Sequence, residues 1–194
     1  MISYNAFRNS LWNRHGRLLL KKNEQARLVL PYIEAFHDTL ANKRHILFIC
    51  KGNICRSPYA EAKARQLLAQ YNIPDIEVSS AGVSTSNNFP SNLLIQNAAQ
   101  KRGIDLTDHK TRKVTATMLH QADLVVVMDH NQRAILKKQF MYLPQRVAFL
   151  GAFSLSEQFP LTIEDPYGRP AGATDFALSH IDAAVEKLVQ LIIE

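Results

Sequence analysis

One stretch limits what this chain can become more than any other: His45 to Ala62, HILFICKGNICRSPYAEA. Within it, Ile46-Leu47-Phe48-Ile49 is an apolar run of strand length, β-branched at both ends. Pro58 stands where the first turn of a helix accepts proline, with no N–H to lose and φ already set. The stretch therefore reads as a buried strand, a tight loop and a helix. Both cysteines of the chain, Cys50 and Cys55, lie in that loop, with Arg56 beside the second.

A strand feeding a loop and then a helix points the loop's N–H groups, and the positive end of the helix dipole, at one spot. That spot suits an anion. Cys50 ends the strand, and Arg56, further along the same loop, can fold back over the anion with a planar fork that matches two phosphate oxygens. Asn53 fits the left-handed backbone so tight a loop needs, Gly52 removes a side chain from its floor, and the Ser57 hydroxyl is placed to hydrogen-bond a thiolate. Dipole, guanidinium and amides together favour charge on the Cys50 sulfur. A nucleophile inside a phosphate cradle points to covalent phosphoryl transfer.

The whole string, Cys-Lys-Gly-Asn-Ile-Cys-Arg-Ser-Pro after a hydrophobic strand, resembles the active-site loop of the low-molecular-weight protein tyrosine phosphatases. The resemblance runs from about His45 to the C-terminus. It implies Cys50 as nucleophile, Arg56 as phosphate-binding arginine, Asn53 and Ser57 as braces of the loop, and a cradle formed by Lys51, Gly52, Asn53, Ile54 and Cys55. It further implies a cysteinyl-phosphate intermediate, a phosphotyrosine-containing protein as substrate, inorganic phosphate as product, and no metal or other cofactor. A phenolate leaves faster when protonated, so a carboxylic acid must reach the bridging oxygen opposite the cysteine. Glu164-Asp165-Pro166-Tyr167-Gly168 resembles the family's general-acid motif, which gives that role to Asp165 and lets Tyr167 flank the pocket. Gly168 departs from the second tyrosine of several members, and Lys51 is a variable position that either steers acidic substrates or is simply solvated.

The rest of the chain supplies a matching frame. Pro58 to Tyr71 is an amphipathic helix, Ile76 to Gly82 a strand with the family's Ser-Ala-Gly ending, and Pro90 to Arg102 a helix stopped by Gly103. Thr115 or Thr117 caps the turn before Met118, Asp123 to Met128 is too apolar for a half-exposed strand, and Asn131 to Phe140 is helical. Arg146 to Leu150 and Gly172 to Ile193 add a short strand and a closing helix. Alternating strands and helices predict an α/β fold: a doubly wound four-stranded parallel sheet with helices on both faces, plus an N-terminal helical extension. Ligands of such sheets bind beyond the carboxyl ends of the strands, which is where the cysteine loop stands.

Bulk properties agree and place the charge. At 194 residues, 46% hydrophobic and 21% charged, the chain has room for one catalytic domain, residues 45–194, and an extension, residues 1–44. The net charge of +6 belongs mainly to the extension, which holds eight Lys or Arg against three Asp or Glu. Residues 45–194 are nearly neutral, and the extension has little aromatic interleaving beyond Trp12, so no nucleic-acid partner is expected. Leu18 to Leu30 and Tyr32 to Leu40 read as one or two helices interrupted near Pro31. The extension's apolar residues, including Phe7, Leu11, Trp12, Leu18 to Leu20, Val29, Ile33, Phe36 and Leu40, are too many for a disordered tail. Three uses stay open: packing on the catalytic domain, a homo-oligomer or partner surface, and a basic membrane-surface helix.

Several other features carry alternatives. Two cysteines in one loop are no disulfide framework, so a reducing cytoplasm is the expected compartment; no run approaches the length of a transmembrane segment. Cys55 either forms a protective disulfide with Cys50 or packs as a small apolar side chain. Asp129 reads as a helix cap before an active-site brace, and Phe89 as packing at a helix start before a pocket wall. His45, His109, His120, His130 and His180 have no metal-ligand spacing and read as structural or exposed. Arsenate reductases of this fold resemble the same loop, but the thioredoxin-coupled ones need cysteines outside it, which this chain lacks. A non-catalytic phosphate-binding module is the other rival.

Overall fold

The computed structural model describes residues 24–37, 44–141 and 147–193. Four strands, β1 (Arg44–Cys50), β2 (Ile76–Gly82), β3 (Leu124–Val127) and β4 (Val147–Phe149), form one parallel sheet in the order β2-β1-β3-β4. The helices are α1 (Glu24–His37), α2 (Arg56–Gln70), α3 (Leu93–Gln100), α4 (Ala116–Gln121), α5 (His130–Phe140) and α6 (Ala171–Ile193), with a 3-10 turn at Leu150–Phe153. The predicted α/β class, strand count and parallel sense all hold. β3 is buried along its whole length, as its unbroken Leu-Val-Val-Val requires when helices cover both faces.

Topology creates the site. From β1 the chain crosses to β2 on one side, then returns past β1 to β3 and β4 on the other, so the winding reverses at β1. At such a switch point the loops leaving neighbouring strands diverge and open a crevice at the carboxyl ends. Register puts Cys50 beside Gly82 and Ile49 beside Val127, so the ends of three strands converge under the cysteine loop.

Several boundaries differ from expectation, each for a local reason. α3 starts at Leu93, later than Pro90, because the Asn92 side chain caps it by accepting from the N–H of Leu94 and Ile95, while Pro90 bridges to Lys110. Phe89, expected to pack at a helix start, is instead 58% exposed. Thr115 is the cap of α4, its hydroxyl accepting from Met118 N–H. The break expected at Pro31 does not occur, and α1 runs through it. An interior proline costs about 3 kcal/mol, but Val29, Ile33 and Phe36, spaced along one face of α1, are all buried in the main core. Their burial outweighs the lost hydrogen bond. α1 packs on β4, the 3-10 turn and α6; the predicted helical stretches around Leu18 and Leu40, and Arg146, lie outside the described residues.

Candidate active site

The cysteine loop is fixed by its asparagine. Asn53 is fully buried with φ +54°, the left-handed region that Asn tolerates better than most side chains. Its Nδ2 donates to Ser57 Oγ at 2.9 Å and to Ser80 Oγ at 2.8 Å, its Oδ1 accepts from Arg112 N–H at 2.9 Å, and its carbonyl lies 2.8 Å from His109 Nε2. Ser80 Oγ in turn donates to Glu61 Oε2 at 2.6 Å. The chain of bonds ends on the sulfur: Ser57 Oγ donates to Cys50 Sγ at 3.0 Å, and Asn53 N–H donates to it at 3.2 Å. Asn53 and Ser57 thus work from behind the sulfur, as braces.

The loop's need for glycine is met mainly by a neighbour. A Cβ on Gly52 would meet Ile54 Cγ1 at 3.3 Å, a tight contact with a flexible side chain. A Cβ on Gly82 would meet Lys51 O at 2.9 Å and Gly52 C at 3.0 Å, both backbone. The floor of the cradle therefore rests on the end of β2 and the residues just after it, where Val83 N–H donates to Cys50 O and Ser84 N–H to Lys51 O.

Arg56 is the electrostatic centre. Its side chain is 1% exposed, with Nη1 3.0 Å from Asp129 Oδ2 and donating to Ile163 O at 2.9 Å, and Nη2 2.8 Å from Asp165 Oδ2. Nε is buried with no protein partner, so the guanidinium keeps a donor in reserve. Asp129 is both things weighed for it: cap of α5, in a capping box with Gln132, and brace of Arg56. Burial pushes its carboxyl up, but hydrogen bonds from Gln132 and Arg56 and the Arg56 charge outweigh that and hold it below its ordinary range.

A pocket of about 170 Å³ opens over the sulfur, lined by Cys50, Lys51, Gly52, Ile54, Cys55, Ser84, Asp165 and Tyr167. Two loops separated by more than a hundred residues meet there, and Asp165 faces the same cavity as Cys50. Both cysteines are free and buried, and burial pushes the Cys55 thiol up to about 12, with the nearby Cys50 and Asp165 adding to the shift and Arg56 opposing it.

Sequence reasoning missed Ser80, Ser84, Arg112, Glu61 and Ile163. Ser80 had a usable signal, since parallel pairing of the first two strands brings the end of β2 beside the cysteine loop. His109, read as structural or exposed, is half-buried against the loop, where burial lowers its pKa.

Known proteins match this arrangement. A family model described as low molecular weight phosphotyrosine protein phosphatase matches residues 45–194. A probable low molecular weight protein-tyrosine-phosphatase, EpsP, of Ralstonia solanacearum is 32% identical over 147 residues, 76% of this chain and 94% of the relative. The crystal structure of a low molecular weight protein tyrosine phosphatase from T. tengcongensis superposes with a TM-score of 0.69 at 29% identity, covering 76% of this chain and 99% of the other. The YwlE arginine phosphatase, in a mutant whose active-site serine is phosphorylated, gives 0.68 at 26%, covering 75% and 93%.

Proposed function

Since the chain belongs to the low molecular weight phosphotyrosine protein phosphatase family, we propose that it hydrolyses phosphotyrosine in proteins through a phosphoryl group carried on Cys50. One observation carries the reading: a sulfur that accepts two hydrogen bonds lines a pocket whose wall includes Asp165, and that Asp165 is paired with a buried arginine that has a free donor. Ile54 and the exposed ring of Tyr167 give that pocket apolar sides suited to an aromatic ring. The phosphorylated serine of the YwlE mutant supports the covalent step by likeness.

The chemistry runs in two displacements. The phosphoryl dianion enters the cradle of amides from Lys51 to Arg56 and competes with Asp165 for Arg56 Nη2, which frees the acid to face the ester oxygen. With Cys50 entering as the thiolate and Asp165 as the protonated acid, Sγ attacks phosphorus in line; the S–P bond forms as the P–O bond to tyrosine breaks, and Asp165 gives its proton to the departing oxygen. Asp165, now a carboxylate, takes a proton from water, whose oxygen attacks phosphorus. The S–P bond breaks, inorganic phosphate leaves, and the sulfur recovers its electron pair under the Ser57 and Asn53 donors. Cys55, held as a thiol, takes no part. A nucleophilic sulfur of this kind sets the enzyme in a reducing compartment such as the cytoplasm; among the described residues no helix is long and apolar enough to cross a membrane.

The test is turnover of matched phosphotyrosine and phosphoarginine peptides, followed by rapid acid quench and mass mapping of Cys50. Phosphate release from the tyrosine peptide with a phosphoryl adduct on Cys50 is expected. Turnover without an adduct removes the covalent step, and preference for phosphoarginine removes the substrate assignment.

A further inference from the structure

The residue that carries the acid is seated at a point well before it. After the 3-10 turn Leu150–Phe153 the chain loops out and returns through Pro160 and Leu161 to Ile163 and Asp165. Ile163 is pinned twice, its N–H donating to Met128 O at 2.9 Å and its carbonyl accepting from Arg56 Nη1. Upstream, Phe159 stacks on His180 of α6, ring centroids 4.7 Å apart and planes within 15°. Between these holds the returning backbone lies directly on the turn. A Cβ built on Gly151 would meet Pro160 O at 2.7 Å and would come closer still to Leu161 O.

Gly151 has no positive φ, so the backbone there is one any residue adopts. What demands glycine is space. The atoms in the way are backbone oxygens, which no rotamer change can move, and the pins at Ile163 leave little chain in which to absorb a displacement. The same turn is one of the surfaces on which α1 packs, and Val29, Ile33 and Phe36 of α1 share an apolar cluster with Leu150, Ala152 and Phe153. α1 lies outside the residues matched by the family.

We propose that Gly151 is a positioning residue for Asp165: the turn Leu150–Phe153 is the seat of the acid loop, and α1, packed on the same turn, keeps that seat in place. The basic extension then contributes to catalysis through its apolar face. This rests on the reading of Asp165 as general acid, and it separates the two halves of the site. A lifted seat shifts the acid and tugs on Arg56 only through the Ile163 carbonyl, while Asp129 still holds Arg56 and the Asn53 and Ser57 bonds around Cys50, braced from β2, stay in place.

The experiment uses the full chain and compares kcat/KM for phenyl phosphate, a poor leaving group, with p-nitrophenyl phosphate, a good one. That parameter reports the first displacement whichever step limits turnover. Gly151→Ala is expected to lose about tenfold more on phenyl phosphate than on p-nitrophenyl phosphate, with inhibition by inorganic phosphate unchanged. Ile33→Ala should shift the ratio in the same sense by about threefold, and Ile33→Val should restore it. Equal losses on both substrates, or weakened phosphate inhibition, would mean a general loosening and overturn the proposal. Should Gly151→Ala fail to fold, the Ile33 pair decides, and an unchanged ratio in Ile33→Ala overturns it. Asp165→Ala is the reference: no leaving-group dependence there sinks the acid assignment and this inference with it, whereas dependence there and none in Gly151→Ala sinks this inference alone.

Discussion

The two loops that meet at Arg56 are built in opposite ways. In the cysteine loop Asn53 is fully buried and uses both ends of its amide, and its left-handed backbone is enforced from β2 and from the segment around Arg112. In the acid loop the Asp165 side chain is 37% exposed and Tyr167 is 62% exposed. Around Gly168 an added Cβ would meet nothing within 4 Å, and the nearby Arg169–Glu164 pair is on the surface. The contrast follows from what each loop must do. A nucleophile meets phosphorus along one line, so its surroundings gain from being over-determined. An acid first serves the leaving oxygen and then a water, so it gains from being held at its base and loose at its tip.

That contrast can be broken first at the sulfur. Cys50→Ser should lower turnover by at least about 10⁴-fold and leave the fold intact, since a similar atom occupies a similar space; a steady-state assay beside a thermal melt checks both. Asn53→Ala should hurt activity and stability together. It strands a left-handed alanine and leaves Ser57, Ser80 and the Arg112 N–H without their shared partner, at a cost of about 2–4 kcal/mol in urea denaturation and about a hundredfold in kcat. Loss of activity without loss of stability would show that the loop is less braced than its bonds imply.

Asp165→Ala sharpens the comparison from the other side. It should lose about 10²–10³-fold on phenyl phosphate and far less on p-nitrophenyl phosphate. Stability should change by less than about 1 kcal/mol, because Arg56 keeps Asp129 and the Ile163 carbonyl. A melt that shifts as far as that of Asn53→Ala would erase the distinction between the loops.

How much of this could be read beforehand follows from distance along the chain. Cys50, Asn53, Arg56, Ser57 and the strand and helix around them are one contiguous unit, and strand, turn and helix rules act over just such lengths. The braces come from elsewhere. Ser80, His109 and Arg112 reach Asn53 from 27, 56 and 59 residues away, while Asp129 and Ile163 reach Arg56 from 73 and 107. No local pattern announces such pairs; only the strand order β2-β1-β3-β4 brings them together. Glycines were legible as glycines and not as reasons: Gly168 answers a positive φ, while Gly82 and Gly151 answer a backbone lying against them. Pro31 shows the converse, a local rule overruled by the core that Val29, Ile33 and Phe36 enter.

The smallest expected effect tests the base of the acid loop, where Phe159 leans on His180. His180 is 1% exposed, its Nε2 has no partner, and burial pushes its pKa down from 6.5 to about 4. The unfolded chain therefore takes up this proton near 6.5 and the fold only near 4, so between those values the unfolded state binds more protons. Stability is full at neutral pH and falls as pH falls, by about 2 kcal/mol between pH 7 and pH 5 from this residue. His109, also lowered by burial, adds in the same direction, while Asp129, held below its ordinary range, matters only under more acidic conditions. Urea denaturation at the two pH values should show the slope in the natural protein and a shallower one in His180→Phe, which keeps an aromatic ring for Phe159 to rest on. A variant with the full slope would move the acid sensitivity away from the loop's base, and with it the argument that the loose half of the site is the first to yield.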